Sequence, residues 1–321
     1  MVRSLKPDII NIHFPGQQLW YSHFLFRLFR HIEWITSLHG DEVLQFFESK
    51  NGVIEPALKT NPGLSERIRM KLLRSWIVRS GYITTCSRYL MRMVKIIIEN
   101  KPFNGSVIYN GIDFSRFEMK SGSGPKAKYL FAYGRLVNAK GFDMLITAFS
   151  KLLNEKSGDY ELIIGGKGEE LANLKQKARD LGLKEMVSFP GSLSPREIVS
   201  YLDHAALTII PSRREPFGIS LLEAMAGKSK IVATNVGGLP EIAEFGDVLL
   251  CEPHENSLFE AMVHAMERPA IPTLYKKVQL DSMFSRENMI CKYEQVLFHS
   301  QISQIKRSKE GLPSLQENIG N

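Results

Sequence analysis

The stretch Arg213-Arg-Glu-Pro-Phe-Gly-Ile-Ser-Leu-Leu-Glu-Ala-Met-Ala carries two carboxylates, Glu215 and Glu223, eight residues apart. An apolar run at 207–210 precedes it and ends in Pro211-Ser212. This pattern predicts a strand, a turn, and a helix starting near 216–219. The backbone N–H groups of Gly218, Ile219 and Ser220 would then sit at a helix N-terminus, which is an anion site. Gly218 would let a phosphate or a sugar approach the backbone closely. The two acids, about two helical turns apart, could touch one elongated ligand at two points. Taken alone, they read first as an N-terminal dipole partner and an exposed helix acid.

Three further segments have chemistry to offer. In Tyr133-Gly-Arg-Leu-Val-Asn-Ala-Lys-Gly, a strand runs into Gly134, and Arg135 and Lys140 bracket the turn that follows. Two cations there suit a diphosphate, Arg as a bidentate donor and Lys as a point charge. They also read as solvated surface cations. In Ile164-Gly-Gly-Lys-Gly-Glu, Gly165 opens a glycine-rich turn between strand and helix. It is neither GxGxxG nor a Walker A loop, so it reads as a phosphate loop or as a tight turn. In Thr36-Ser-Leu-His-Gly-Asp-Glu, His39 follows a strand end, where it would face a cleft or serve a turn. No Asp-x-Asp pair occurs, so neither a metal site nor a cofactor is expected.

The elements that must position these groups come from the apolar pattern. Short β-type runs at 8–13, 34–38, 82–86 and 106–109 alternate with helical periods in the first half. Six more runs follow at 129–133, 161–164, 187–189, 207–210, 230–234 and 248–251, with helical periods at 144–153, 171–181 and 258–266. Strand–helix alternation predicts a parallel, doubly wound α/β architecture. At 321 residues, two domains are expected. The polar, Gly/Ser/Pro-rich stretch near 119–128 marks the boundary, and the tail from 301 to 321 reads as disordered.

In their order and spacing, four stretches resemble the retaining glycosyltransferases of family 4. They are Tyr109-Asn-Gly-Ile-Asp…Phe117, Gly134-Arg-Leu-Val…Lys140-Gly, Glu215-Pro-Phe-Gly-Ile-Ser-Leu-Leu-Glu223 and Ile231-Val-Ala-Thr-Asn-Val-Gly-Gly-Leu-Pro-Glu241. Glu215 and Glu223 fit that family's EX7E motif. The resemblance implies a GT-B fold, two Rossmann-like domains facing a cleft. The acceptor-side domain would span 1–119, the donor domain 128–283, and a helix at 285–300 would cross back to the first. It implies transfer of a sugar from a nucleotide diphosphate sugar to a glycan or lipid-linked hydroxyl acceptor, with retention, in the synthesis of cell-surface polysaccharide, lipopolysaccharide or glycolipid. Arg135 and Lys140 would contact the diphosphate, Glu223 the ribose, and Glu215 the donor sugar. The segment from Gly218 to Leu221 would offer backbone N–H groups, with Gly134, Gly165 and Phe217 also in the donor site. Phe189 and Pro190 would border the base, and His39 would stand beside the reacting sugar. Family members begin with a strand and a Gly-rich loop, whereas 8–13 matches their internal KPDxxxxH strand. The first domain is therefore expected to be truncated by roughly 60–90 residues, at about 30 per βα unit. The alternative is a non-catalytic nucleotide-sugar-binding subunit that needs a partner chain.

Charge and composition bound the rest. With 41 Lys+Arg against 34 Asp+Glu, the net charge of +7 favours anionic partners. The segment 66–79 places Ile68, Leu72, Leu73, Trp76 and Ile77 on one helical face flanked by Arg and Lys. That pattern reads as a core-packing helix or as a peripheral contact with anionic membrane. No nucleic-acid signature is present. Three scattered cysteines form no disulfide framework, and no signal peptide or apolar span occurs, so a cytoplasmic location, or one on the cytoplasmic membrane face, is expected.

Overall fold

The computed structural model describes residues 7–13, 24, 28–29, 32–118, 128–155, 160–268 and 274–310, with side chains omitted for 274–278 and 299–310. The chain divides into two compact units. The first comprises residues 1–49, 54–110 and 287–321, and the second 50–53 and 111–286.

In the first unit, β1 (Ile9–His13), β2 (Glu33–Leu38), β5 (Tyr82–Thr85) and β6 (Gly105–Val107) form a parallel sheet in the order β1-β2-β5-β6. These are the four strands expected from the apolar runs. The pair β3 (Phe47–Lys50) and β4 (Val53–Leu58) was not expected. Its strands are interrupted by charge and by Pro56, so the alternation is weak. The helix Leu64–Arg79 covers the basic 66–79 segment and packs into the core, the first of its two readings. Leu73, Trp76 and Ile77 are fully buried, and Trp76 donates from Nε1 to Thr36 Oγ1 at 2.8 Å while its ring meets Trp34 edge-on. The Trp that would sit in an interface is inside the protein, held by a core hydroxyl.

The second unit is built on six parallel strands, as its six apolar runs predict. They are β7 (Lys128–Tyr133), β8 (Tyr160–Gly165), β9 (Val187–Gly191), β10 (Leu207–Ile210), β11 (Lys230–Thr234) and β12 (Val248–Cys251), in the order β12-β11-β10-β7-β8-β9. The first strand of the unit therefore lies in the middle, with the chain winding outward to either side. Strands of such a sheet are buried on both faces and read as continuous apolar runs. Leu130, Leu162, Leu207 and Val232 are all fully buried, under the helices Phe142–Glu155 and Glu255–Glu267. The point where winding reverses, between β7 and β10, leaves a crevice at the strands' C-terminal ends, where ligands of such folds bind.

Two boundaries differ from expectation. The units part at Asn110/Gly111, not near residue 119, and the second unit runs to 286. Ile112 explains this, because its N–H donates to Phe284 O at 2.9 Å and its carbonyl accepts from Arg286 N at 3.1 Å. A Cβ at Gly111 would come within 2.4 Å of Ser285 O, so only glycine fits that approach. Phe114 and Phe117 are then buried in the second unit. The polar stretch 119–127 lies outside the described residues. The last helix, Arg286–Glu310, carries the chain well past residue 301, so 301–310 are helical rather than disordered. Gln, Lys, Arg and Glu dominate this stretch and favour helix, and Gly311 and Pro313 follow it. Residues 311–321 lie outside the described residues. Val296 of that helix packs with Ile35 and Ile108 of the first unit, in keeping with a terminal helix that returns to it.

Candidate functional site

The segments that follow β7 and β10 lie side by side because those strands are neighbours. Lys140 ends a short 3-10 turn, Asn138–Lys140, and its Nζ donates to Glu215 Oε2. Ser212 Oγ donates to the same oxygen at 3.4 Å. Glu215 is buried, at 8% exposure, so its charge needs these partners. The structure thus places Lys140 on the first acid of the motif, while the Arg135 side chain is exposed, with no protein partner among the described residues.

The Gly237-Gly238 pair has a backbone task. Gly238 N–H donates to Glu215 O at 2.9 Å, and Gly237 sits at φ 60° with its Cα against the same carbonyl. A Cβ on Gly237 would lie 1.9 Å from Glu215 O. The glycines of the Val236-Gly-Gly-Leu turn therefore clamp the backbone of the Glu215 segment.

Glu223 lies on the helix Ile219–Ala226, and its side chain is 13% exposed. Tyr133 donates its O–H to Oε2 at 2.6 Å, and Arg116 donates to Oε1 at 3.4 Å. Burial, reinforced by the neighbouring Glu223 carboxylate, pushes the Tyr133 phenol well above its usual value of 10. Neither partner was singled out from sequence, because they lie 90 and 107 residues away from Glu223. A third long-range pair was also missed. Arg213 grips Asp143 with two parallel bonds of 2.6 and 2.7 Å and donates to Asn138 O at 3.1 Å. Burial alone would raise the Asp143 carboxyl, but the Arg213 hydrogen bonds and charge win and hold it below its usual value.

At the N-terminus of Ile219–Ala226, the N–H groups of Gly218, Ile219 and Ser220 meet no protein acceptor among the described residues. Leu221 is a correction. Its N–H donates to Gly218 O at 3.0 Å and its side chain is fully buried, so the anion site has three donors rather than four. Phe217 is also buried, its ring centroid 6.3 Å from that of Phe284.

Beyond the ends of β7 and β8, Tyr133, Gly134, Arg135, Gly165, Lys167 and Ser192 line part of a cavity of ≈ 340 Å³. Gly166, in its wall, adopts φ 134°, and a Cβ there would strike Gly134 O at 1.8 Å. That contact explains the second glycine of Ile164-Gly-Gly-Lys-Gly. Two of the cavity's side chains, Arg135 and Lys167, are exposed cations. Phe189 of β9 is half-buried and packs against the core, and Pro190 beside it is exposed; neither lines this cavity.

His39 belongs to the first unit. Its turn is fastened by Glu42, whose Oε1 accepts from the N–H groups of His39 and Gly40. A relay across three strands orders its ring. Thr84 Oγ1 donates to Ser37 Oγ at 2.9 Å, and Ser37 Oγ donates to Asn11 Oδ1 at 3.1 Å. That turns the Asn11 amide N–H toward His13 Nε2, 3.2 Å away. His13 therefore carries its proton on Nδ1 and donates it to His39 Nε2 at 3.0 Å. The rings are stacked, with centroids 5.3 Å apart. Burial lowers both histidines, and with the added repulsion of His13 the His39 imidazole falls to about 4. Sequence singled out His39 as a site residue but not His13, which it read only as the end of the KPDxxxxH strand.

Among the described residues, no group of three His, Cys, Asp or Glu could hold a metal ion, and no helix is long and apolar enough to cross a membrane.

Both halves of the chain match known families. Residues 113–277 match the family described as glycosyl transferases group 1, and residues 1–116 match glycosyltransferase family 4. An uncharacterized glycosyltransferase of Methanocaldococcus jannaschii is 29% identical over 252 residues, covering 74% of this chain and 60% of the relative. The glycogen synthase of Mycobacterium tuberculosis is 27% identical over 269 residues, covering 82% of this chain and 61% of the relative. The chain thus spans about three-fifths of the length of these relatives. Among solved structures, sucrose-phosphate synthase from Thermosynechococcus elongatus superposes with a TM-score of 0.77 at 17% identity, over 94% of this chain and 76% of that one. HepE of Anabaena, solved in complex with UDP and glucose, superposes with a TM-score of 0.71 at 18% identity, over 92% of this chain and 79% of that one. Sheet order, motif order and the match of both halves lead to one conclusion: this chain belongs to the glycosyl transferases group 1 family and has its GT-B fold.

Proposed function

We propose that this chain transfers a glycosyl group from a nucleoside diphosphate sugar to a hydroxyl acceptor, with retention at the anomeric carbon. The observation that carries this reading is the convergence, at the β7/β10 crevice, of Glu215, Lys140 and the open N-terminus of Ile219–Ala226. Three unengaged N–H groups and a helix dipole favour a dianionic diphosphate there. Arg135, exposed past the end of β7, adds a cation for the charge that builds on the leaving phosphate oxygen. Glu215, fixed by Lys140 and by the Gly238 N–H, receives hydroxyls of the donor sugar. In the transfer, the bond from the anomeric carbon to the diphosphate oxygen breaks. The acceptor oxygen bonds that carbon on the same face, and its proton passes to the departing phosphate. No protein nucleophile is assigned to the step. The acceptor class in this reading is a glycan or a lipid-linked glycan of the cell surface.

The test is release of nucleoside diphosphate from UDP-glucose, UDP-N-acetylglucosamine and GDP-mannose in the presence of membrane-extract acceptors. The full chain is expected to turn over one of these donors, and Glu215→Ala to reduce that turnover by about a hundredfold or more. The anomeric configuration of the product, read by NMR, tests retention. Wild-type protein that neither binds nor turns over any of the donors overturns the reading.

A further inference from the structure

The second unit has another cavity, of ≈ 550 Å³, and the residues that line it all belong to that unit. Three side-chain amides stand in its wall. Asn138 comes from the 3-10 turn after β7, Asn256 from the first turn of the helix Glu255–Glu267, and Asn51 from the turn at 50–53. That turn is laid directly on its neighbours: a Cβ at Gly52 would come within 2.6 Å of Arg213 Cδ and 3.3 Å of Asn138 Oδ1. Asn51 holds φ 51°, a left-handed conformation that asparagine tolerates. The Asn51 and Asn138 side chains make no hydrogen bond to protein among the described residues, and Asn256 uses only its Oδ1, which accepts from Lys151 Nζ. His254 Nδ1 accepts from Ser257 N–H at 3.2 Å and caps the helix, so the neutral ring carries its proton on Nε2 as a further donor. The charges in the wall are already matched. Arg213 is gripped by Asp143, and Glu255 stands 3.9 Å from Lys177. Met144 and Pro253 add apolar surface.

The chemistry of the wall selects the ligand. A primary amide both donates and accepts hydrogen bonds. A phosphate offers acceptors only, so it would leave the amide oxygens unmatched and would face Glu255. An ammonium offers donors only, so it would leave the amide and imidazole N–H groups unmatched. A hydroxyl donates and accepts, as the amides do, and the C–H face of a sugar ring suits Met144 and Pro253. The volume lies within the usual range of ligand pockets. We propose that this cavity is a second carbohydrate subsite, which takes an uncharged sugar unit of a glycan. The inference goes beyond the donor reading, and its site is distinct in its residues, but the two share segments. Asn138 stands two residues before Lys140, and Arg213 two before Glu215. The Arg213 N–H donates to Ala139 O at 2.9 Å, which ties the segments together. A glycan held here is carried by the same two segments that hold Lys140 and Glu215.

Titration of the full chain, labelled at histidine nitrogen, with maltohexaose, mannohexaose and chitohexaose tests it. The His254 ring signals, read by NMR, should shift saturably with one of these oligosaccharides and stay unmoved by sodium pyrophosphate. Calorimetry then follows two variants that keep the local fold. Asn51→Gly removes an amide and keeps the left-handed turn, and His254→Ser removes the imidazole and keeps a helix cap. Each should weaken the oligosaccharide by about fivefold, and the two together by about twentyfold. UDP affinity should stay within about twofold of wild type, since neither residue belongs to the shared segments. A wild type in which none of the three oligosaccharides moves His254, or in which pyrophosphate moves it instead, overturns the subsite. So does oligosaccharide binding that both variants leave unchanged, or a loss that UDP shares equally. Wild type that binds UDP but no oligosaccharide leaves the donor reading standing without the subsite. Wild type that binds an oligosaccharide at His254 but none of UDP, GDP and ADP overturns the donor reading and leaves the subsite standing.

Discussion

The acids of the second unit and the histidines of the first are stabilised in opposite ways. Glu215 and Glu223 stay inside the protein as half of a pair, matched by Lys140, Arg116 and the Tyr133 phenol. His13 and His39 face one another, and burial keeps both below their ordinary value. The difference follows from what each burial costs. A carboxylate buried near neutral pH keeps its charge only where donors compensate it, whereas an imidazole escapes the cost by shedding its proton. The acid site is therefore exposed to damage through its partners and its backbone clamp, and the histidine site through its hydrogen-bond order.

The largest expected break in this contrast is Gly237→Ala. It adds a Cβ 1.9 Å from Glu215 O at a φ of 60°, and the obstacle is backbone. The cost should be about 3 kcal/mol of stability, read as a lower Tm, with UDP affinity lost as the Glu215 segment moves. A variant with wild-type Tm and affinity would mean that the glycine pair does not clamp the acid site.

Next in size is Asp143→Asn, which removes the charge and one of the two acceptor oxygens of the bidentate Arg213 pair. About 1–2 kcal/mol of stability should be lost at pH 7. The Asp143 carboxyl is lowered in the folded state, so its contribution is present above the unfolded carboxylate's pKa of about 4 and fades as pH falls through the lower folded value. Wild type and variant should therefore differ in denaturant midpoint at pH 7, and the gap should narrow as pH falls below about 4. A gap that persists in acid would mean that the pair acts through packing rather than charge.

The smallest effect, and the sharpest probe of the histidine region, is His13→Ala. With its first cause, burial, left in place, His39 should rise from about 4 only part of the way toward 6.5 in an NMR titration. In wild-type protein the His39 ring nitrogen shifts should stay flat from pH 8 to pH 5.5, with Nε2 reading as the unprotonated nitrogen. Because the folded state holds His39 neutral, wild-type stability should also decline as pH falls from about 6.5 toward 4, where only the unfolded chain gains that proton. An ordinary titration near 6.5 would remove the contrast between the two regions.

The sequence by itself determined the elements and the motifs. Six continuous apolar runs in the second half are six parallel strands, and the EX7E and Gly-Arg-Leu-Val stretches sit where strand ends meet turns. Gly237-Gly238 was legible as part of a motif but not as a clamp, since the carbonyl it meets belongs to another segment. The hairpin β3–β4 and the helical 301–310 were not legible, the first because its alternation is broken, the second because propensity rather than apolar periodicity forms it. Only the tertiary structure decided the partners: Tyr133 and Arg116 on Glu223, Lys140 on Glu215, Arg213 on Asp143, and His13 on His39. The physical reason is that periodicity encodes which face of an element is buried, but not which element lies beside it. That is set by strand order, and here the reversal that seats β10 against β7 brings residues 70 to 90 positions apart within hydrogen-bonding distance.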